Sequence, residues 1–169
     1  MKSARPVVLD AYVLVPMPLA DTLLRLAAGP RLFLPKWSDQ IMVEVTRTLR
    51  GTFGLSDQEA MHRESEIRQH FPEAWIEDYE DLIPAMTNHP EDRHVLAAAA
   101  HAGVKVIVTY NIKDFPRSSL TPYSITAQGP SAFLKGPLWC GAGNGDADVG
   151  RSSRHYREVI AIFALQAPN

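Results

Sequence analysis

The sequence predicts an α/β fold in which helices flank a central, mainly parallel sheet. Three observations predict it. PVVL (Pro6–Leu9) and VKVIVT (Val104–Thr109) are short, β-branched and apolar, as buried strands are. LADTLLRLAA, DQIMVEVTRTL and DRHVLAAAAHAG carry apolar residues at helical spacing, and each is bounded by a cap or stop signal. The two kinds of segment alternate, which is the pattern of strands covered by helices.

Each element follows in order. Pro6–Leu9 is the first strand. Leu19–Ala28 is a helix stopped by Gly29-Pro30. Leu32–Leu34 is a brief strand. Ser38 is a side-chain N-cap for the helix Asp39–Leu49, whose Ile41, Val45 and Leu49 lie near one face and whose stop is Gly51. Ser56 caps a helix to about His70, and Pro72 marks its break. Trp75 and Ile76 form a short strand, and Tyr79–Ile83 one helical turn ended by Pro84. Pro90, Glu91 and Asp92 open a helix closed by Gly103. Val104–Thr109 is the clearest strand, and Tyr123–Thr126 a further one. After about Leu134 the chain is rich in Gly, Asp, Ser and Arg without a period, so residues 135–169 read as a loop or disordered tail. Within it, Val159–Leu165 is a short strand or helix that docks back.

The 169 residues suit one domain with a sizeable core. A formal net charge of −2 gives no global attraction for nucleic acid or anionic membrane, so a polyanion binder needs a local basic patch. The single cysteine, Cys140, excludes an internal disulfide and a cysteine-rich metal site, which fits a reducing cytoplasm. The apolar stretch near the start is interrupted by Asp10, Pro16 and Pro18 and does not read as a signal peptide. No run approaches the ~18 apolar residues of a membrane helix.

Asp10 stands inside VVLDAYVLV, where an unpartnered carboxylate is costly. It ends the first strand, and ligands of open parallel sheets bind at the carboxyl ends of strands. Asp114 lies a few residues past the strand Val104–Thr109. Asp92 starts the helix that precedes that strand, near the same edge. Glu44 sits at the boundary of the buried face of its helix. If the four converge, a hard divalent cation, Mg²⁺ or Mn²⁺, relieves their repulsion, and such a site activates water and stabilises a phosphoryl transition state. Salt bridging or protonation is the other relief. Each acid also has a plainer reading: Asp10 as cap of the next turn, Glu44 paired with Arg47, Asp92 as a first-turn acid complementing the helix dipole, and Asp114 as an Asx-turn residue. Glu91 is a lesser substitute for Asp92. The histidines lack zinc-site spacing, and His94 and His101 read as helix-surface residues. Cys140 has no identifiable base.

LDAYVLV, WSDQIMVEVTRTL, HPEDRHVLAAAA and VIVTYNIKDFP, in this order, resemble a PIN domain, and more closely the VapC-like toxins of bacterial toxin–antitoxin pairs. The resemblance covers roughly Pro6–Leu134 and implies a PIN-like three-layer fold over residues 1–134. It implies a cytoplasmic, metal-dependent endoribonuclease in which Asp10, Glu44, Asp92 and Asp114 hold Mg²⁺ or Mn²⁺. An activated water attacks the phosphate and leaves a 3′-hydroxyl and a 5′-phosphate. Thr109 and Asn111 match positions that orient the carboxylates. It also implies a homodimer and a cognate antitoxin that lies in an apolar groove between the early helices and silences the site with a basic side chain. Arg47, Arg93 and Lys113, with Lys36, Arg50 and Arg117, lie beside the motifs and can form a basic rim that contacts RNA phosphates, or a solvated mixed-charge surface.

One departure is Tyr12, where the family pattern has a small polar residue. The tail after Leu134 is also unlike the helical ending of the family. Tyr12 motivates an alternative, a catalytically impaired PIN-fold module that binds RNA or protein while the phenol obstructs the acidic centre. A third reading is a phosphate-handling receiver domain with Asp10 as phosphoacceptor. It lacks a second acid beside Asp10 and a well-placed Lys, and acetyl-phosphate labelling separates it.

Overall fold

A computed structural model describes residues 4–136. The predicted tail, its docking segment Val159–Leu165 and Cys140 lie outside the described residues, apart from the first two tail positions. The expected α/β architecture is present. Five strands form one sheet in the order β3-β2-β1-β4-β5, all pairs parallel, with helices packed around it. The strands are β1 (Arg5–Leu9), β2 (Phe33–Ser38), β3 (Trp75–Ile76), β4 (Val106–Val108) and β5 (Thr126–Gln128). The helices are α1 (Ala11–Leu14), α2 (Met17–Ala28), α3 (Asp39–Gly51), α4 (Asp57–His70), α5 (Arg93–His101), α6 (Arg117–Leu120) and α7 (Pro130–Lys135).

The caps follow the sequence. Ser38 Oγ accepts the Ile41 N–H at 3.2 Å and starts α3. Ser56 and Glu59 form a reciprocal capping box at the start of α4. Gly103, at φ +66°, ends α5 in the left-handed conformation that glycine adopts without strain.

Several bounds differ from expectation. β2 runs through Pro35, which the brief strand Leu32–Leu34 excludes because proline cannot donate to a ladder. Pairing of β2 with β3 begins only at Trp37, beyond that proline. β4 is shorter than Val104–Thr109. β5 begins at Thr126, after a 3-10 turn over Thr121–Tyr123, in place of a strand over Tyr123–Thr126. The turn near Tyr79–Ile83 is a 3-10 stretch, Glu80–Ala85, that contains Pro84. Asp92 closes a 3-10 turn, Pro90–Asp92, so α5 proper begins at Arg93.

The core lies on both faces of β1 and β4, where Val7, Val8, Leu9, Ile107 and Val108 are fully buried. Trp37 packs edge-on against Phe71 and Trp75. α5 is buried over nearly its whole circumference, from His94 to Ala99. This corrects the surface placement of His94, which is 2% exposed, while His101 is exposed as expected. The chain builds outward from β1 to β3 and then returns to β4 on the other side of β1. The strand order therefore reverses between β1 and β4, where an open α/β sheet forms its ligand crevice.

Candidate metal centre

Two strands deliver the innermost groups to that crevice. Asp10 follows the last residue of β1, and Thr109 follows the last residue of β4. Asp10 is 2% exposed, and its two oxygens are held separately. Oδ1 accepts the Ala11 N–H at 2.7 Å, and Oδ2 accepts the Thr109 hydroxyl at 2.7 Å. Thr109 Oγ1 in turn accepts the Asn111 N–H at 3.0 Å. Asp10 thus caps α1, as its plainer reading has it, and also faces the crevice. Burial raises its pKa above the ordinary aspartate value, and Glu44 adds to the rise. The bonds from Thr109 and Ala11, and His94, act in the opposite direction.

α3 supplies Glu44 and α5 supplies His94. The contact between them is short, His94 Nε2 to Glu44 Oε1 at 2.8 Å. Glu44 is thus tied across to α5 and makes no ion pair with Arg47. The Nδ1 atom of His94 is buried and has no hydrogen-bond partner.

Asp92 and Asp114 arrive on 3-10 turns, Pro90–Asp92 and Ile112–Asp114. The two turns are stitched together where the His89 N–H donates to the Asp114 carbonyl at 3.1 Å. The Asp92 carboxylate makes no cap hydrogen bond at the start of α5. Its pKa is pushed up to about 6. Burial is the main cause, and Asp10, Asp114 and Glu44 each add repulsion, against a smaller opposing effect of His89. Asp92 therefore feels the charges of the other three predicted acids at one end of the sheet.

Within this group the tightest set is smaller and includes an unforeseen member. His89, Asp92 and Asp114 place ligand atoms within 4.8 Å of one another. His89 Nδ1 stands 3.9 Å from Asp92 Oδ2. An octahedral ion with bonds of about 2.1 Å holds its ligands ~3 to ~4 Å apart, so a small closure would gather these three. The donor set is mostly carboxylate oxygen and suits a hard divalent cation. The Asp92 and Asp114 carboxylates accept no hydrogen bond among the described residues, whereas Asp10 and Glu44 are fixed. The site thus pairs two anchored acids with two free ones.

Of the predicted rim, Arg93 Nε donates to the Asn88 carbonyl at 3.2 Å and Arg50 pairs with Asp57 at 3.0 Å. Lys36 Nζ donates to the Glu73 carbonyl. Arg47, Lys113 and Arg117 form no ion pair among the described residues. Tyr12 is 54% exposed on α1 and makes no hydrogen bond to any of the four acids.

No family model matches the chain. One stretch of 56 residues is 57% identical to a protein of Mycobacterium tuberculosis (strain ATCC 25618 / H37Rv) named "Putative ribonuclease VapC50". The stretch spans about a third of each protein, 33% of this chain and 33% of the relative. Among the described residues no helix is long and apolar enough to cross a membrane.

His89 and His94 are the two site residues that the sequence reading does not place. A signal for His94 exists in HVLAAAA, since a polar residue inside a helix this apolar needs a partner. His89 has no such signal, being exposed and set in a turn.

Proposed function

We propose that this protein is a metal-dependent endoribonuclease, the toxin of a toxin–antitoxin pair, with Mg²⁺ or Mn²⁺ held by Asp10, Glu44, Asp92 and Asp114. The observation that supports the proposal is that Asp92 is driven up to about 6 by burial and by the charges of Asp10, Asp114 and Glu44, with Asp10 ending β1 where the strand order reverses. Like charges at such a place need a counter-charge at neutral pH. The partial match to a ribonuclease supports RNA as the substrate.

When bound, the cation supplies a more acidic water and offsets charge on the phosphate. The chain's own residues do the rest. Thr109 and the Ala11 N–H hold Asp10 in one orientation. Asn111 acts through its backbone N–H, which orients the Thr109 hydroxyl. Asp92 and Asp114, on turns, would hold the ion together with Asp10 and Glu44. Arg47 and Lys113 lie on the exposed surface and supply phosphate contacts that fix the strand without reading bases, while Arg93 is partly committed to Asn88. A cognate antitoxin and a homodimer belong to the same reading.

The test is incubation of a mixed RNA pool with the purified protein in Mn²⁺, in Mg²⁺ and in EDTA, with the ends of the products mapped. The expected result is cutting in either metal, none in EDTA, and 5′-phosphate ends. Absence of cutting across varied RNAs with metal present would favour the impaired reading, and Tyr12→Asn would then be the variant to assay.

A further inference from the structure

We infer that His94 is a positioning residue that fixes the Glu44 carboxylate in the acidic centre, an inference that builds on the cation reading above. Three observations carry it. His94 is 2% exposed on a helix whose neighbouring residues are apolar, a place where a leucine would fill the volume without a polar group to satisfy. Its Nε2 lies 2.8 Å from Glu44 Oε1 and joins α5 to α3 across fifty positions of sequence. Its Nδ1 is buried with no partner.

Together these fix the direction of the bond. An ionised carboxylate only accepts, so the hydrogen of the contact sits on Nε2. His94 is then a one-point tether, holding Oε1 and leaving Oε2 of Glu44 for a cation. Thr109 likewise holds Oδ2 of Asp10, whose Oδ1 takes the Ala11 N–H. The two anchored acids of the site therefore each rest on a side-chain donor from a buried residue. Such tethers reduce the freedom that the ligand would otherwise lose on binding.

The experiment measures Mn²⁺ affinity from the free-ion resonance signal for the wild-type chain, His94→Leu and His94→Gln. It adds Glu44→Ala with and without His94→Leu, and a ¹⁵N imidazole spectrum of the wild type and of Glu44→Ala. Glutamine places an N–H near the Nε2 position, and leucine keeps the volume without a donor. The expected result is a loss of about 10–100-fold in affinity for His94→Leu, as for removal of other groups that orient a ligand. His94→Gln should restore most of it, and His94→Leu should add nothing once Glu44 is alanine. Wild-type affinity in His94→Leu, or equal losses in the leucine and glutamine variants, would overturn the inference. The spectrum separates the two layers and needs no folded His94 variant. A hydrogen on Nε2 whose signal moves in Glu44→Ala upholds the tether even if the wild type takes up no Mn²⁺, in which case the cation reading alone falls. A hydrogen absent from Nε2, or a signal indifferent to Glu44→Ala, overturns the tether whatever the metal does.

Discussion

Asp10→Asn is expected to abolish RNA cleavage, by about 10³-fold or more, while the protein stays folded. The size follows from what the residue touches. Asp10 is the most deeply buried of the four acids and stands where the strand order reverses. Loss of one charged ligand removes several kcal/mol of charge stabilisation, and each ~1.4 kcal/mol is a factor of ten in rate. The fold should survive because asparagine is nearly isosteric. Its carbonyl oxygen can keep the Ala11 N–H, and its amide can donate to the Thr109 hydroxyl, which keeps one lone pair beside the Asn111 N–H once its own hydrogen turns away. Burial already disfavours the ionised form of Asp10, so removing the charge does not cost stability. A melting curve beside the cleavage assay checks both halves. Retained cleavage in a folded variant would remove Asp10 from the cation site.

Asp92→Asn is expected to do two opposite things. Cleavage should fall as steeply, because Asp92 is common to the four-acid set and to the His89–Asp92–Asp114 cluster. Stability of the metal-free protein at pH 7 should rise. The folded pKa of about 6 lies above the ordinary value of 3.8, so the native state holds its proton more tightly than the unfolded chain. The stability that this proton confers is complete below about pH 4 and is lost as pH climbs through 6. Asparagine removes the repulsion altogether. The gain, reduced by solvent screening at a partly exposed group, is about 1 kcal/mol, or ~2–4 °C in melting temperature for a chain of this size. Variant and wild type should melt together near pH 4 and separate by pH 7 in EDTA. Saturating Mn²⁺ should raise the wild type alone. A variant that melts below the wild type at pH 7 without metal would show that Asp92 is held by attraction rather than strained by repulsion.

Much of this was legible in the residues, and the misses have physical reasons. Asp10 stands out because a single acid interrupts an apolar strand, and α3 because Ser38 and Gly51 bracket a clear apolar face. α1, at four residues, is too short for any period to register. β2 hides behind Pro35, which precedes the first β2 residue paired with β3, Trp37. The turn that carries Asp92 merges in sequence with α5, since Pro-Glu-Asp is also a good helix start. His94 falls to the surface when read by spacing, because helical spacing presumes one wet face and α5 has almost none. The reasoning that singles out Asp10 applies equally to it. His89 is recovered only by tertiary structure, since it is the bond from its N–H to the Asp114 carbonyl that joins the two turns.

The central claim is that Asp10, Glu44, Asp92 and Asp114 form one cation site. Calorimetric titration of Mn²⁺ into the wild-type chain at pH 7, and into the four single Asn or Gln variants, tests it most directly. The expected result is one ion per chain, with affinity reduced in all four variants and weakening as pH falls through about 6, where Asp92 takes up its proton. Absence of binding to the wild type would contradict the claim. So would losses confined to Asp92 and Asp114, which would leave the cation in the His89 cluster alone and Asp10 as the cap of a turn.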